Sequence, residues 1–240
     1  MPKLSVIIAA YNEEENIEHT LKSLINQTIP RNEYEIIIVD GNSKDKTREI
    51  AEKYADKVII QKGKGVSNAR NEGAKIAESE LIAVTDADCL VEKNWLELIY
   101  NNFKDKEIIA VGGDDYPRSK SIKARFFYWL LRKLTHFFIF SFNFAALGGT
   151  NCAFRKNEFL KIGGFNENLP YVEDADIGFR IKKLGKVYRD KKVKVFTSTR
   201  RFEKNGYIKV MSSWFIGSFK LMMNIPIKGV RYHKGSGYKY

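Results

Sequence analysis

The sequence predicts an α/β fold, with a mostly parallel central sheet, helices on both faces and a helical C-terminal extension. Three observations carry this prediction. Apolar, β-branched runs recur through the first half, as expected for strands buried on both faces. Segments of helical periodicity separate them. A chain of 240 residues with 44% hydrophobic content suits one compact domain with a small appendage.

Leu4-Ser5-Val6-Ile7-Ile8-Ala9-Ala10 reads as the first strand. Asn12 then offers an N-cap and Glu15 a capping-box partner. Ile17, Leu21, Leu24 and Ile25 follow at helical spacing. Glu35 to Asp40 is a second strand, Gly41-Asn42-Ser43 a turn, and Asp45 to Tyr54 a helix. Lys57 to Ile60 is a third strand. Gly63-Lys64-Gly65 breaks the chain before a helix over Val66 to Ala77. Leu81 to Thr85 is a fourth strand, ending in Asp86-Ala87-Asp88. This alternation implies parallel strands. Ligands of such sheets bind beyond the carboxyl ends of the strands, so Ala10, Tyr11, Asp40, Asp86 and Asp88 belong along one edge.

The second half is less regular. Phe126 to Trp129 and Phe137 to Leu147 are aromatic, apolar runs, each short of the ~20 residues a membrane-spanning helix needs. Gly148-Gly149-Thr150-Asn151 and Gly163-Gly164-Phe165 are loops. Glu173 opens a helix through Leu184, and Lys191 to Thr197 alternates like a strand. Tyr207 to Ile225 is amphipathic, with Tyr207, Met211, Trp214, Phe215, Leu221, Met222 and Ile225 on one side. The expected organisation is a domain over residues 1–205, divided at 115/116, and a helical tail over 206–240.

Charge follows the same division. Residues 1–115 carry 15 Lys/Arg and 22 Asp/Glu, and residues 116–240 carry 26 and 7, so a net −7 precedes a net +19. A basic half this strong implies a phosphate-bearing ligand, an anionic membrane surface or nucleic acid; a Lys-rich thermophilic surface is the plainer explanation. The aromatics cluster instead of alternating with bases, and no nucleic-acid module is present, which argues against nucleic acid. Two cysteines, Cys89 and Cys152, make no disulfide scaffold, and Met1-Pro2-Lys3 leads straight into the first strand without a signal-like segment. A cytoplasmic protein is expected.

Five groups carry candidate chemistry. Asp86-Ala87-Asp88 at a strand end can hold Mg²⁺ or Mn²⁺ while leaving positions for phosphate oxygens. Asp40 is either a ribose- or base-binding acid or a turn former. Arg70, early in a helix where its charge opposes the dipole, matches a nucleobase or diphosphate. Glu173-Asp174-Ala175-Asp176 is either an acid-rich helix start or a general-base site in basic surroundings. Arg200-Arg201 offers either surface charge or a cation for a leaving diphosphate.

Together these residues resemble the inverting, family-two glycosyltransferases of the GT-A fold, from Leu4 to about Phe202. Ser5 to Glu14 is similar to the family's opening strand and nucleotide loop. Ile37 to Thr47, Asn68 to Gly73, Asp86 to Asp88, Gly148 to Asn151, Gly163 to Phe165 and Glu173 to Arg180 follow in family order. The resemblance implies Asp174 as the catalytic base and Asp86 and Asp88 as the Mn²⁺ or Mg²⁺ ligands. It implies donor contacts from Ala9, Tyr11, Glu13, Asp40, Arg70, Asp86, Ala87, Asp88 and Arg201. Gly149, Thr150, Asn151 and Glu173 fall on the acceptor side.

The donor is expected to be a UDP- or GDP-type sugar, and the acceptor a glycan or lipid-linked group. Gly41 stands where a second acid is common, and the Gln-x-x-Arg-Trp motif of processive members is absent, so transfer of one sugar at a time is expected. A nucleotidyltransferase is the enzymatic alternative, but Tyr11-Asn12-Glu13 is acidic where such enzymes carry a basic loop. Trp129, Phe137, Phe138, Phe140 and Trp214 are expected at a lipid interface, with Lys and Arg on anionic head groups.

Overall fold

In the computed structural model the described residues are 2–142, 147–223 and 225–227. They form one eight-stranded mixed sheet with spatial order β3-β2-β1-β4-β7-β6-β8-β5. The first half is β1 (Leu4–Ala10), α1 (Ile17–Ile25), β2 (Tyr34–Asp40), α2 (Thr47–Ala51), β3 (Lys57–Ile60), α3 (Val66–Ile76) and β4 (Leu81–Asp86). Its four strands are parallel, as expected. Register places Ala10 beside Asp40 and Ala9 beside Asp86, so the strand-end residues do share one edge.

The continuous apolar runs serve two cores. Val6, Ile8, Ile36 and Ile38 face α1 and α4 (Trp95–Asn102). Ile7, Ile37 and Val39 face α3, with α6 (Lys156–Lys161) and α7 (Glu173–Ile181) beyond. Alternate residues of one strand thus meet opposite layers. Gly73 lets α3 approach the sheet, since a Cβ there would stand 2.5 Å from Ile7 Cγ2.

The second half completes the sheet. β5 (Leu90–Val91) and β7 (Cys152–Arg155) run antiparallel to their neighbours, whereas β6 (Ile108–Pro117) and β8 (Lys186–Thr197) pair in parallel. Two register shifts bend the β6–β8 ladder. At Gly113, within the second, any side chain would collide with Val193 O and the Asn151 amide.

Residues 143–146 lie outside the described residues, and the first aromatic run and residues 137–142 of the second lie on one helix, α5 (Ile122–Phe142). It packs on α8 (Arg200–Asn205) and α9 (Tyr207–Met222) through a separate cluster of Ala124, Tyr128, Phe202, Tyr207, Val210 and Met211. No helix among the described residues is long and apolar enough to cross a membrane.

One local expectation is corrected. The first helix begins at Ile17, not after Asn12, and Asn12 adopts a left-handed conformation, φ 51°. Long-range bonds between the first two strand-end loops outcompete the local cap. Asn12 N–H donates to Ser43 Oγ at 2.9 Å, Lys44 N–H to Asn12 Oδ1 at 2.8 Å, and Glu13 N–H to Thr47 Oγ1 at 2.7 Å. Asp45 likewise accepts from Glu14 N–H and Thr47 N–H, so α2 starts at Thr47.

Candidate functional site

The ends of β1, β2 and β4 present Ala9, Ala10, Tyr11, Asp40 and Asp86 together. Asp40 is buried and accepts hydrogen bonds from the Ser43 amide and hydroxyl. It therefore holds the second loop, the turn-forming role that the sequence left open. Tyr11 closes over the same loop: a Cβ at Gly41 would lie 3.2 Å from Tyr11 Cδ2.

Arg70 organises the centre. Its guanidinium, 3% exposed, bonds Asp86 Oδ1 at 2.7 Å and Glu173 Oε1 at 3.1 Å and lies 5.2 Å over the Phe165 ring. One arginine thus ties the strand-end acids to the helix that carries Asp174. Gly149 makes this possible, because a Cβ there would stand 2.7 Å from Arg70 Nη1. The neighbouring Asn71 fixes the Phe165 loop in both directions, donating to Phe165 O at 2.9 Å and accepting from Phe165 N–H at 2.8 Å. Arg70 Nε has no hydrogen-bond partner.

Glu173 and Asp174 open α7 behind Val172, a β-branched residue with φ 58°. This conformation is costly, and the surrounding packing must hold it. Gly217 of α9 supplies part of that packing, since a Cβ there would lie 2.6 Å from the Tyr171 ring and 3.0 Å from Val172 Cγ1. Asp174 accepts from Ala175 N–H at 2.8 Å and from Gly149 N–H at 3.4 Å. Burial, then the charge of Glu173, raises its pKa to about 6. A carboxyl poised there can accept a proton near neutral pH.

Asp88 and Glu13 share one cation of the Arg200-Arg201 pair. Arg200 Nη2 lies 2.7 Å from Glu13 Oε1 and 3.0 Å from Asp88 Oδ2. Burial and the charge of Asp88 raise the Glu13 pKa against this pairing. Arg201 turns away, with its guanidinium 5.6 Å over Trp214. Successive residues of a short helix point about 100° apart, so only one of the two arginines faces the strand ends, and it is Arg200.

One acceptor-side assignment changes. Asn151 is fully buried and saturated: Nδ2 donates to Asp114 O and Val193 O, and Oδ1 accepts from Trp95 Nε1 at 2.9 Å. It is a core connector. Thr150 instead donates to Asp115 Oδ1 at 3.0 Å. Asp115 was missed altogether, although Ile108 to Asp115 repeats the pattern of an apolar run ending in acids. Burial outweighs the charge of Arg189 and lifts Asp115 to about 7. Beside it Asp114 is buried in an ion pair with Arg189 at 2.9 Å.

The pair Asp86 and Asp88 suits a divalent cation. No cluster of three or more His, Cys, Asp or Glu gathers for one among the described residues. A hard cation in a phosphate-transfer type of site needs only one or two carboxylates, with substrate phosphates completing its shell. The Arg200 guanidinium on Asp88 marks where positive charge is favoured.

Sequence and fold comparisons agree with this geometry. A protein described as a probable glycosyltransferase, YdaM of Bacillus subtilis, is 32% identical over 204 residues, covering 77% of this chain and 48% of its own length. A glucosyl-dolichyl phosphate glucuronosyltransferase of Haloferax volcanii is 28% identical, covering 69% of this chain and 56% of its own length. The chain spans about half the length of these curated relatives.

Two solved structures share its fold. The mannosyltransferase PcManGT from Pyrobaculum calidifontis, in complex with GDP-Man and Mn²⁺, superposes with a TM-score of 0.73 at 20% identity, covering 97% of this chain and 67% of that one. Residues 1–349 of S. aureus TarS, in complex with UDP-GlcNAc, give 0.66 at 20% identity, covering 82% and 59%. Residues 5–163 match the family described as Glycosyl transferase family 2. The match runs from the first strand through the Arg70–Asp86 pair to the loop beside it, which sets aside the nucleotidyltransferase and nucleic-acid readings: the chain belongs to glycosyl transferase family 2 and has the GT-A fold.

Proposed function

We propose that this chain transfers one sugar from a nucleoside-diphosphate donor to an acceptor hydroxyl or lipid phosphate, with inversion at the anomeric carbon. The observation that carries this reading is the Arg70 bridge, which sets the carboxyl pair Glu173 and Asp174 against the strand-end acid Asp86. In the proposed reaction Asp174 takes the proton from the acceptor hydroxyl. The acceptor oxygen bonds to the anomeric carbon from the face opposite the nucleotide. The bond from that carbon to the phosphate oxygen breaks, and its electron pair leaves with the diphosphate.

Asp86 and Asp88 would hold Mn²⁺ or Mg²⁺, which when bound neutralises charge on the departing diphosphate. Arg200 orients Glu13 and Asp88, and the strand-end loops at Tyr11 and Asp40 border the nucleoside position. Solved relatives bind GDP-Man with Mn²⁺ and UDP-GlcNAc, which supports this donor class. The test is a thermal-shift screen of nucleoside diphosphates and nucleotide sugars with and without Mn²⁺. A ligand at 100 times its dissociation constant stabilises by about 2.7 kcal/mol. Absence of any Mn²⁺-dependent shift refutes the donor assignment.

The exposed faces of α5 and α9 favour a peripheral site of action on an anionic membrane face. Ile122, Phe126, Trp129 and Phe137 form one solvent-facing stripe on α5, with Ile122 85% exposed. Ile208, Ile216, Phe219 and Met223 form another on α9, with Ile208 75% exposed. Neither helix contains an acid, and Lys123, Arg125, Lys133, Lys209 and Lys220 accompany the stripes. That composition matches a lipid interface. Trp214 takes no part in it: it packs edge-on against Phe202 at 5.5 Å. The side chains of Phe138 and Phe140 and the tail from residue 228 onward lie outside the described residues. The relative named for glucosyl-dolichyl phosphate supports a lipid-linked acceptor. Flotation with anionic vesicles, weakened by salt and absent with neutral vesicles, is the expected result; no flotation at low salt refutes the docking.

A further inference from the structure

The loop Gly148-Gly149-Thr150 lies between two acidic side chains. On one side Asp174 Oδ2 accepts from Gly149 N–H. On the other Asp115 Oδ1 accepts from the Thr150 hydroxyl at 3.0 Å. Asp174 has a role in the proposed transfer, but Asp115 has none. Asp115 Oδ2 faces Gly148, where a Cβ would come within 3.1 Å. The glycine thus keeps space beside that oxygen open.

Asp115 is also firmly placed. Arg132 donates to its carbonyl oxygen at 3.0 Å and lies over the adjacent Tyr116 ring. Asp114 is anchored by Arg189 and His136. Such support is what a positioning group needs.

The charge of this corner narrows the acceptor. Asp115 and Asp174 bond the loop directly, and the charge of the buried Arg70 beside Gly149 is taken up by Asp86 and Glu173. An anionic nucleophile would be repelled by the carboxylates. A neutral hydroxyl donates to them instead. The two carboxyls flank one short loop, bonded to its successive residues Gly149 and Thr150, so one acceptor molecule can meet both.

We propose that Asp115, braced by Thr150, is a positioning residue for the acceptor, and that the acceptor is a neutral polyol presenting one hydroxyl to Asp174 and another to Asp115. This rests on the glycosyl-transfer reading and selects, within it, a hydroxyl acceptor over a phosphate. The polyol belongs either to a glycolipid head group or to a soluble glycan.

The test uses the full chain with the nucleotide sugar that the thermal-shift screen selects. Acceptors are octyl glucoside, maltose and a polyprenyl phosphate. Transfer to octyl glucoside or maltose and none to polyprenyl phosphate is expected; preference between the first two separates a glycolipid head group from a soluble glycan. Asp115→Asn should raise the acceptor KM about tenfold or more, the scale of one lost charge-assisted hydrogen bond. Its donor dissociation constant should stay within about twofold of the parent. Thr150→Val should move the acceptor KM in the same direction and carries the test if Asp115→Asn fails to fold. Transfer to polyprenyl phosphate, transfer to neither polyol, an unchanged acceptor KM, or an equal loss of donor affinity each overturns the proposal. Failure to bind or hydrolyse any nucleotide sugar overturns the glycosyl-transfer reading beneath it.

Discussion

Arg200 lies on Asp88, with 3.0 Å between Nη2 and Oδ2, and the same nitrogen bonds both carboxylate oxygens of Glu13. A guanidinium therefore stands where a divalent cation is proposed to bind. Two consequences follow for metal binding. Asp88→Ala should abolish Mn²⁺-dependent donor binding and leave the fold intact. Arg200→Ala should tighten Mn²⁺ binding in the absence of nucleotide, because a competing cation is removed. Titration calorimetry measures both, with donor and Mn²⁺ together for Asp88→Ala and with Mn²⁺ alone for Arg200→Ala, and weaker binding in Arg200→Ala refutes the competition.

Asp174 sets the pH dependence. With its pKa at about 6, the rate should fall about tenfold per unit below that pH. Asp174→Asn should lower turnover about 10²-fold or more with donor affinity little changed. Collapse of donor binding with turnover per bound donor intact would make Asp174 a binding residue.

The same shift has a cost in stability. The folded pKa stands above the ordinary 3.8, so between the two values the native state holds a proton that the unfolded chain has released. Stability then falls as pH rises from about 4 to about 6 and stays reduced above that range. Asp174→Asn should be more stable than the parent at pH 8, by up to about 3 kcal/mol, and little different at pH 4. Thermal melts at the two pH values measure the difference, and equal shifts at both would refute the origin given.

Arg70→Ala should be among the most destabilising changes, because it leaves Asp86 and Glu173 without their shared cation. Breaking a buried pair in this way costs about 3–5 kcal/mol. Arg70→Lys should recover only part of it, since an ammonium cannot bridge both acids in the plane of a guanidinium. Full recovery by lysine would mean that charge alone matters there.

Gly217→Val should disturb the site from the back of the molecule. Its side chain would enter the Tyr171 ring and Val172, the left-handed residue that precedes Glu173 and Asp174. Overpacking typically costs about 1–3 kcal/mol. Turnover should fall by more than donor affinity, since the donor-side loops lie elsewhere. Unchanged turnover would separate α9 from the base.

The strands β1, β2 and β4 were legible in the sequence because burial on both faces demands uninterrupted apolar runs, such as Val6-Ile7-Ile8 and Ile36-Ile37-Ile38. With them came the strand-end positions of Asp40 and Asp86, since parallel strands must end on one edge. What contacts those ends was decided only by tertiary structure. Asn12 has the chemistry of a helix cap, yet it bonds a loop 32 residues away. Asn151 has the chemistry of an acceptor contact, yet Trp95 and Val193 enclose it. Arg200 and Arg201 are identical in composition, and the rotation of α8 alone sends one to Asp88 and the other to Trp214. Pattern reveals which residues are buried, because burial follows local periodicity. The partner of a polar side chain depends on which distant segment folding brings beside it, and no local period encodes that.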